Sequence, residues 1–108
     1  MKNLYFILDK DRNAVPVEDV LDWAKWKTDN PALSNVAYDK RGDVEVSTIF
    51  LGTNHNWRTG PPILFETMVF GGDNDGLQVR YETWNQAEAG HLRICETVWI
   101  LDAEIING

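Results

Sequence analysis

The sequence predicts an α+β domain: a mostly antiparallel sheet of about four to five strands, with two helices packed on one face. Three observations lead there. Two runs with strand-like alternation, Val44–Leu51 and Ile63–Phe70, lie close together in mid-chain. Turn-rich segments, Asp39-Lys40-Arg41-Gly42 before them and Gly71–Gly76 after them, suit hairpins rather than long crossovers. Helix-period apolar patterns flank this centre, over Pro16–Thr28 and again from Thr83 onward. A chain of 108 residues makes one domain, 1–108, able to bury one core.

Leu4–Leu8 is apolar and ends in Asp9-Lys10-Asp11-Arg12-Asn13, which predicts a buried strand and a polar turn rather than a signal peptide. Pro16 suits a first helical turn, and Glu18 and Asp19 complement a helix N-terminus. Val17, Val20, Leu21 and Ala24 then form a core-facing stripe that Trp23 and Trp26 widen. Asn30-Pro31 stops that helix, and Pro31–Asn35 is a link. Val36–Tyr38 is a short strand that pairs with the next through the turn at Asp39–Gly42.

In Val44–Leu51, residues Val44, Val46, Thr48 and Phe50 share one face, and Glu45, Ser47, Ile49 and Leu51 the other. In Ile63–Phe70, Leu64, Glu66, Met68 and Phe70 oppose Ile63, Phe65, Thr67 and Val69. Both faces of the second run are mostly apolar, which points to a central strand or to a second copy of the chain covering the outer face. Leu77–Tyr81 is the last strand. The final helix takes its cap from Thr83 or Asn85, with Glu88 in capping-box spacing to Asn85. Its stripe is Leu92, Cys95, Val98, Trp99 and Leu101, and Gly90 allows close approach to the sheet. Ile105-Ile106 forms a short apolar tail.

Composition excludes several classes. The net charge of −7, from 17 acidic and 10 basic residues, disfavours direct nucleic-acid binding. It fits solubility, or an acidic surface that meets a basic partner. No apolar run approaches the roughly 20 residues needed to cross a membrane. Cys95 is the single cysteine, so no intrachain disulfide or thiolate zinc cluster forms, in keeping with a reducing cytoplasm. Its helical neighbours, Ile94 and Glu96, read as those of an inert thiol. No nucleophile motif, phosphate loop or dinucleotide fingerprint occurs, so neither a catalytic residue nor a cofactor is expected.

Four segments carry a resemblance: Trp23–Trp26 (WAKW), Gly42–Trp57 (GDVEVSTIFLGTNHNW), Gly60–Gly72 (GPPILFETMVFGG) and Arg80–His91 (RYETWNQAEAGH). Across nearly its whole length the chain resembles a family of small proteins encoded by bacteriophages and prophages. That resemblance implies a virus-encoded accessory protein acting in a bacterial cytoplasm, for which inhibition of host machinery or capture of a defence signal are the expected roles. The family has Asp before the loop histidine, where this chain has Asn54.

The richest candidate site is the connection Thr53–Pro62. His55 donates and accepts, Arg58 offers a planar fork for phosphate or carboxylate, and Trp57 offers a stacking face. With Asn54 and the neighbouring strand residue Glu66, this set is the expected ligand-binding site for a small anionic, nucleotide-like molecule. Against it stands a plain structural loop whose polar groups tie its own backbone. Glu66 would carry a raised pKa if buried alone, or would pair with Arg80 or Arg93. Glu88 and His91 have Glu-x-x-His spacing, but too few further ligands accompany them, so no metal is expected. Asp73-Asn74-Asp75-Gly76 opens like a calcium loop yet has Trp84 where the bidentate Glu belongs, and so predicts a turn.

Three readings of function result. The first is a non-catalytic accessory protein, as a monomer or a homodimer, that binds a host partner or a small anionic ligand. The second is an acidic inhibitor that fills the basic nucleic-acid groove of a host defence complex. The third is a small metal-dependent hydrolase built on His55, Glu66 and His91.

Overall fold

The computed structural model describes residues 3–99. The apolar tail at Ile105-Ile106 and the stripe position Leu101 lie outside the described residues. The fold is α+β, with two antiparallel sheets of two and four strands and three helices among the described residues. Strands β1 (Tyr5–Leu8) and β2 (Ala14–Val17) form a ribbon. Helices α1 (Val20–Asp29) and α2 (Pro31–Ser34) follow. Strands β3 (Asn35–Arg41), β4 (Val44–Phe50), β5 (Phe65–Phe70) and β6 (Gln78–Tyr81) form the main sheet in chain order. Helix α3 (Trp84–Val98) closes the described chain. No helix among the described residues is long and apolar enough to cross a membrane.

The predicted first helix differs from the observed one at its start. Asp9 Oδ1 accepts from the backbone of Asp11 and Asn13, at 2.8 and 2.9 Å, and bends the chain into a hairpin. Pro16 therefore lies in β2, paired with Phe6 on an edge strand that can do without its N–H. The helix begins at Val20, four residues past Pro16, where the Asp19 carboxylate accepts from Leu21 N at 2.8 Å. Its stripe is also rotated. Val20 and Leu21 are exposed, while Trp23, Trp26 and Lys27 face inward. Aromatic burial outweighs the smaller aliphatics here.

One face of the main sheet carries the core. Its residues are Ala37 and Asp39 of β3; Val46, Thr48 and Phe50 of β4; Val69, Thr67 and Phe65 of β5; Val79 and Tyr81 of β6. Phe50, Phe65, Leu64, Phe6, Leu8, Tyr81, Trp84 and Ala87 form the larger apolar cluster. Val46, Val69 and Trp99 form the smaller one. An aromatic ladder crosses the larger cluster: Trp26 to Phe50 at 5.9 Å, Phe50 to Phe65 at 5.1 Å, and Phe65 to Trp84 at 6.2 Å. Both α1 and α3 are thereby anchored to the same sheet face. The opposite face stays open, with Tyr38, Ile49 and Phe70 exposed.

Helix α3 is set by Thr83, whose hydroxyl accepts from Gln86 N at 3.1 Å; the Gln86 side chain accepts from Glu82 N at 2.9 Å. The cap is thus Thr83, the first of the two expected, and the reciprocal side chain is Gln86, two residues before Glu88. The buried stripe runs Trp84, Ala87, Gly90, His91. Leu92, expected in the core, is 63% exposed, and His91 takes its place. Gly90 sits against the Tyr81 ring so closely that a methyl group would overlap it.

Gly90→Ala is therefore expected to lower stability by about 1–3 kcal/mol despite alanine's better helix propensity. Leu92→Ala is expected to change it by less than about 0.5 kcal/mol. Urea denaturation of the two variants checks both. A stabilised Gly90→Ala would show that the helix does not rest on Tyr81.

Candidate functional site

Between the two apolar clusters runs a belt of buried polar groups. Thr48 and Thr67 are cross-strand partners at the centre of β4 and β5, and their hydroxyls are 2.5 Å apart. Tyr81 donates to Thr67 Oγ1 at 3.0 Å. Thr48 Oγ1 lies 2.6 Å from His91 Nδ1, and His91 Nε2 lies 2.7 Å from the Asp39 carboxylate. Thr48 and Thr67 are 0% and 1% exposed and His91 is 2% exposed, so each must find its partners inside the protein.

The donors in this belt have one consistent direction. A carboxylate only accepts, so His91 donates from Nε2 to Asp39. A neutral ring then accepts at Nδ1 from the Thr48 hydroxyl. Thr48 in turn accepts from Thr67, and Thr67 from Tyr81. The result is an unbroken chain from phenol to carboxylate that joins β6, β5, β4, α3 and β3.

This hydroxyl–imidazole–carboxylate order resembles a hydrolytic triad in chemistry but not in access. The hydroxyl beside the imidazole is sealed from solvent, so no substrate carbonyl can reach it. Beside Asp39 lies Cys95, with Sγ 3.7 Å from the carboxylate. Burial, then the negative charge of Asp39 and the hydrogen bond to it, push this thiol up to about 11. It is protonated at neutral pH and is not a free nucleophile.

The second feature is a wall formed by Arg12, Trp84 and Glu88. Arg12 sits at the tip of the β1–β2 turn with φ of 66°, the only described non-glycine residue with positive φ. Its guanidinium lies 4.5 Å from the Trp84 ring centroid and 3.9 Å from Glu88, which accepts from Trp84 Nε1. A cavity opens on each side of this wall. The smaller, about 260 Å³, is bordered by Asp11, Glu82 and Thr83. The larger, about 450 Å³, lies between α3 and the α2–β3 segment. Leu33, Val36, Ala37 and Leu92 give it an apolar lining, and Arg12, Asn35, Glu88 and His91 supply polar groups. Its size and lining suit a small ligand.

The sequence-predicted site residues lie elsewhere. Asn54 is buried; its Oδ1 accepts from Asn56 N at 2.8 Å and Ile63 N at 3.2 Å, closing the loop on itself. His55 Nε2 is 3.0 Å from Thr53 Oγ1. Trp57 is 87% exposed, and Arg58 donates its backbone N–H to Asn56 Oδ1. Glu66 is on the outer sheet face, paired with Arg80 at 3.7 Å and accepting from Gln78. None of Asn54, His55, Trp57, Arg58 or Glu66 lines either cavity. Glu66 and His91 lie on opposite faces of the sheet, so the expected hydrolase set of His55, Glu66 and His91 is not assembled. Asp73–Gly76 is a hairpin turn in which Asp75 Oδ1 accepts from Gly71 N.

No local pattern in the sequence marks Arg12, Trp84 or Asp39 as site residues. The polar turn containing Arg12 is visible in the sequence, but nothing local tells that its guanidinium reaches Trp84 at the start of α3. The sequence leaves His91 between a surface position and a hydrogen bond to the sheet, and the structure has the second. Comparison with protein-family models, with curated proteins and with solved structures finds no match.

Thr48→Val removes the donor to His91 Nδ1 and the acceptor for Thr67 in one step. It is expected to cost about 1–3 kcal/mol, since buried polar atoms are left unpaired. Ser47→Ala, on the outer face, is expected to cost less than about 0.5 kcal/mol. Equal chemical-denaturation midpoints for the two variants would show that the belt carries no load.

Proposed function

We propose that this chain is a non-catalytic binding protein, of the phage accessory type its sequence resembles, that holds a small anionic, nucleotide-like ligand in the groove between α3 and β3. The observation that carries the reading is the Arg12–Trp84 stack at the mouth of a groove of about 450 Å³. The apolar lining suits the flat body of a base, and the guanidinium fork suits a phosphate. Stacking on Trp84 orients that fork without neutralising it. Glu88 offsets part of its charge, so a single phosphate fits better than a polyphosphate. The smaller cavity is less suitable, because Asp11 and Glu82 border it and would repel an anion.

The buried belt supports a binding role over a catalytic one, since its hydroxyls are closed to substrate. The open sheet face at Tyr38, Ile49 and Phe70 offers a surface for a host protein or for a second copy of the chain. The net charge of −7 favours a second reading, occupation of a basic groove in a host defence complex.

Calorimetric titration with nucleoside monophosphates tests the first reading. At least one is expected to bind, with affinity falling about tenfold or more in Arg12→Ala, the loss of a charge-assisted contact. Arg58→Ala is expected to bind as the parent does. Loss in Arg58→Ala alone would return the site to the Thr53–Pro62 loop. Absence of binding, with a host partner captured in a strongly salt-dependent way, would favour groove blocking instead.

A further inference from the structure

We propose that Asp39, His91 and Cys95 form a site for a divalent metal of zinc type, which shares His91 with the lining of the proposed groove. Asp39 Oδ2, His91 Nε2 and Cys95 Sγ all lie within 4.8 Å of one another. His91 and Cys95 are four residues apart, so they project from the same face of α3. Asp39 comes from β3, the edge strand that this face covers. Imidazole, thiolate and carboxylate are the three side-chain ligand types that zinc takes.

The surroundings favour the same conclusion. A histidine that ligates a metal needs its second ring nitrogen fixed by a hydrogen bond, and Thr48 holds His91 Nδ1 from inside the core. Every group behind Thr48 is a hydroxyl, able to donate or accept. When metal takes the lone pair of Nε2, the ring proton moves to Nδ1 and donates to Thr48. Thr48 then donates to Thr67, and Thr67 to the Tyr81 oxygen, as each hydroxyl rotates. The ring keeps one proton throughout. The Cys95 thiol releases one proton to solvent for each metal bound.

Access comes from the strand side. The Asp39 side chain is 55% exposed and Cys95 is only partly buried, so an ion can enter and at least one coordination position stays open to water. Three protein ligands with an open position are the arrangement of a reactive or exchangeable metal, not of a closed structural one. The site differs from the Glu-x-x-His pair visible in the sequence, because Glu88 is turned to Trp84 and Arg12.

Cobalt(II) titration of reduced, chelator-stripped protein tests the proposal. One equivalent is expected to bind, with thiolate-to-cobalt charge-transfer absorption that zinc then displaces. Cys95→Ala is expected to abolish that absorption, and Asp39→Ala to weaken binding about tenfold or more while retaining it. Both side chains are partly exposed, so both variants are expected to fold, as checked by circular dichroism. Cys95→Ser serves if Cys95→Ala does not. Zinc should also move the His91 ring proton from Nε2 to Nδ1 in nitrogen-resolved spectra. No stoichiometric uptake, or uptake that survives unchanged in both variants, would overturn the site.

Discussion

The structure depends on one buried imidazole. His91 is the point where α3 is pinned to the centre of the sheet, through Thr48 on one side and Asp39 on the other. Apolar contacts alone would let a helix slide along a sheet at small cost, because dispersion is not directional. A buried polar group cannot slide, since any shift leaves it unpaired in a low-dielectric interior. The belt thus separates the Phe50–Phe65 cluster from the Val46–Val69 cluster and holds both in register. Gly90, the preceding residue, lets the helix settle onto the Tyr81 ring so that these bonds can close.

The groove is a consequence of that pinning. His91 fixes the middle of α3 against β3, and Trp84 fixes its start against Phe65. The short helix α2 fills part of the space beside β3, and the remainder is the cavity of about 450 Å³. Arg12 completes its mouth because the Asp9-centred turn carries it over Trp84 in a left-handed backbone conformation. Such a conformation is costly for a side-chain-bearing residue, and it persists here where the guanidinium also gains a ring and a carboxylate. The resulting site is built from three segments that are far apart in sequence.

That separation explains what could be read without coordinates. The α+β class, the hairpin order and the two faces of β4 and β5 were legible, since period-two alternation is a local signal. The close approach at Gly90 was legible because only glycine permits it. Pro16 misled because it suits a helix start and an edge strand equally well, and only pairing with Phe6 decides between them. Leu92 misled because hydrophobicity ranks it above histidine, whereas Thr48 and Asp39 together favour His91 inside. The Thr53–Pro62 loop carries ligand-type chemistry that is visible in the sequence. Much of that chemistry is spent on the loop itself, with Asn54 and Asn56 bonding to backbone groups at Ile63, Arg58 and Pro61.

The state of the His91 ring tests the central claim most directly. Proton–nitrogen correlation spectra of metal-free protein, resolved at the imidazole, report which nitrogen carries hydrogen. A single slowly exchanging form with the proton on Nε2 is the expected result, as a chain running from Tyr81 to Asp39 requires. A ring that averages rapidly between two forms, or that carries its proton on Nδ1 before any metal is added, would contradict it.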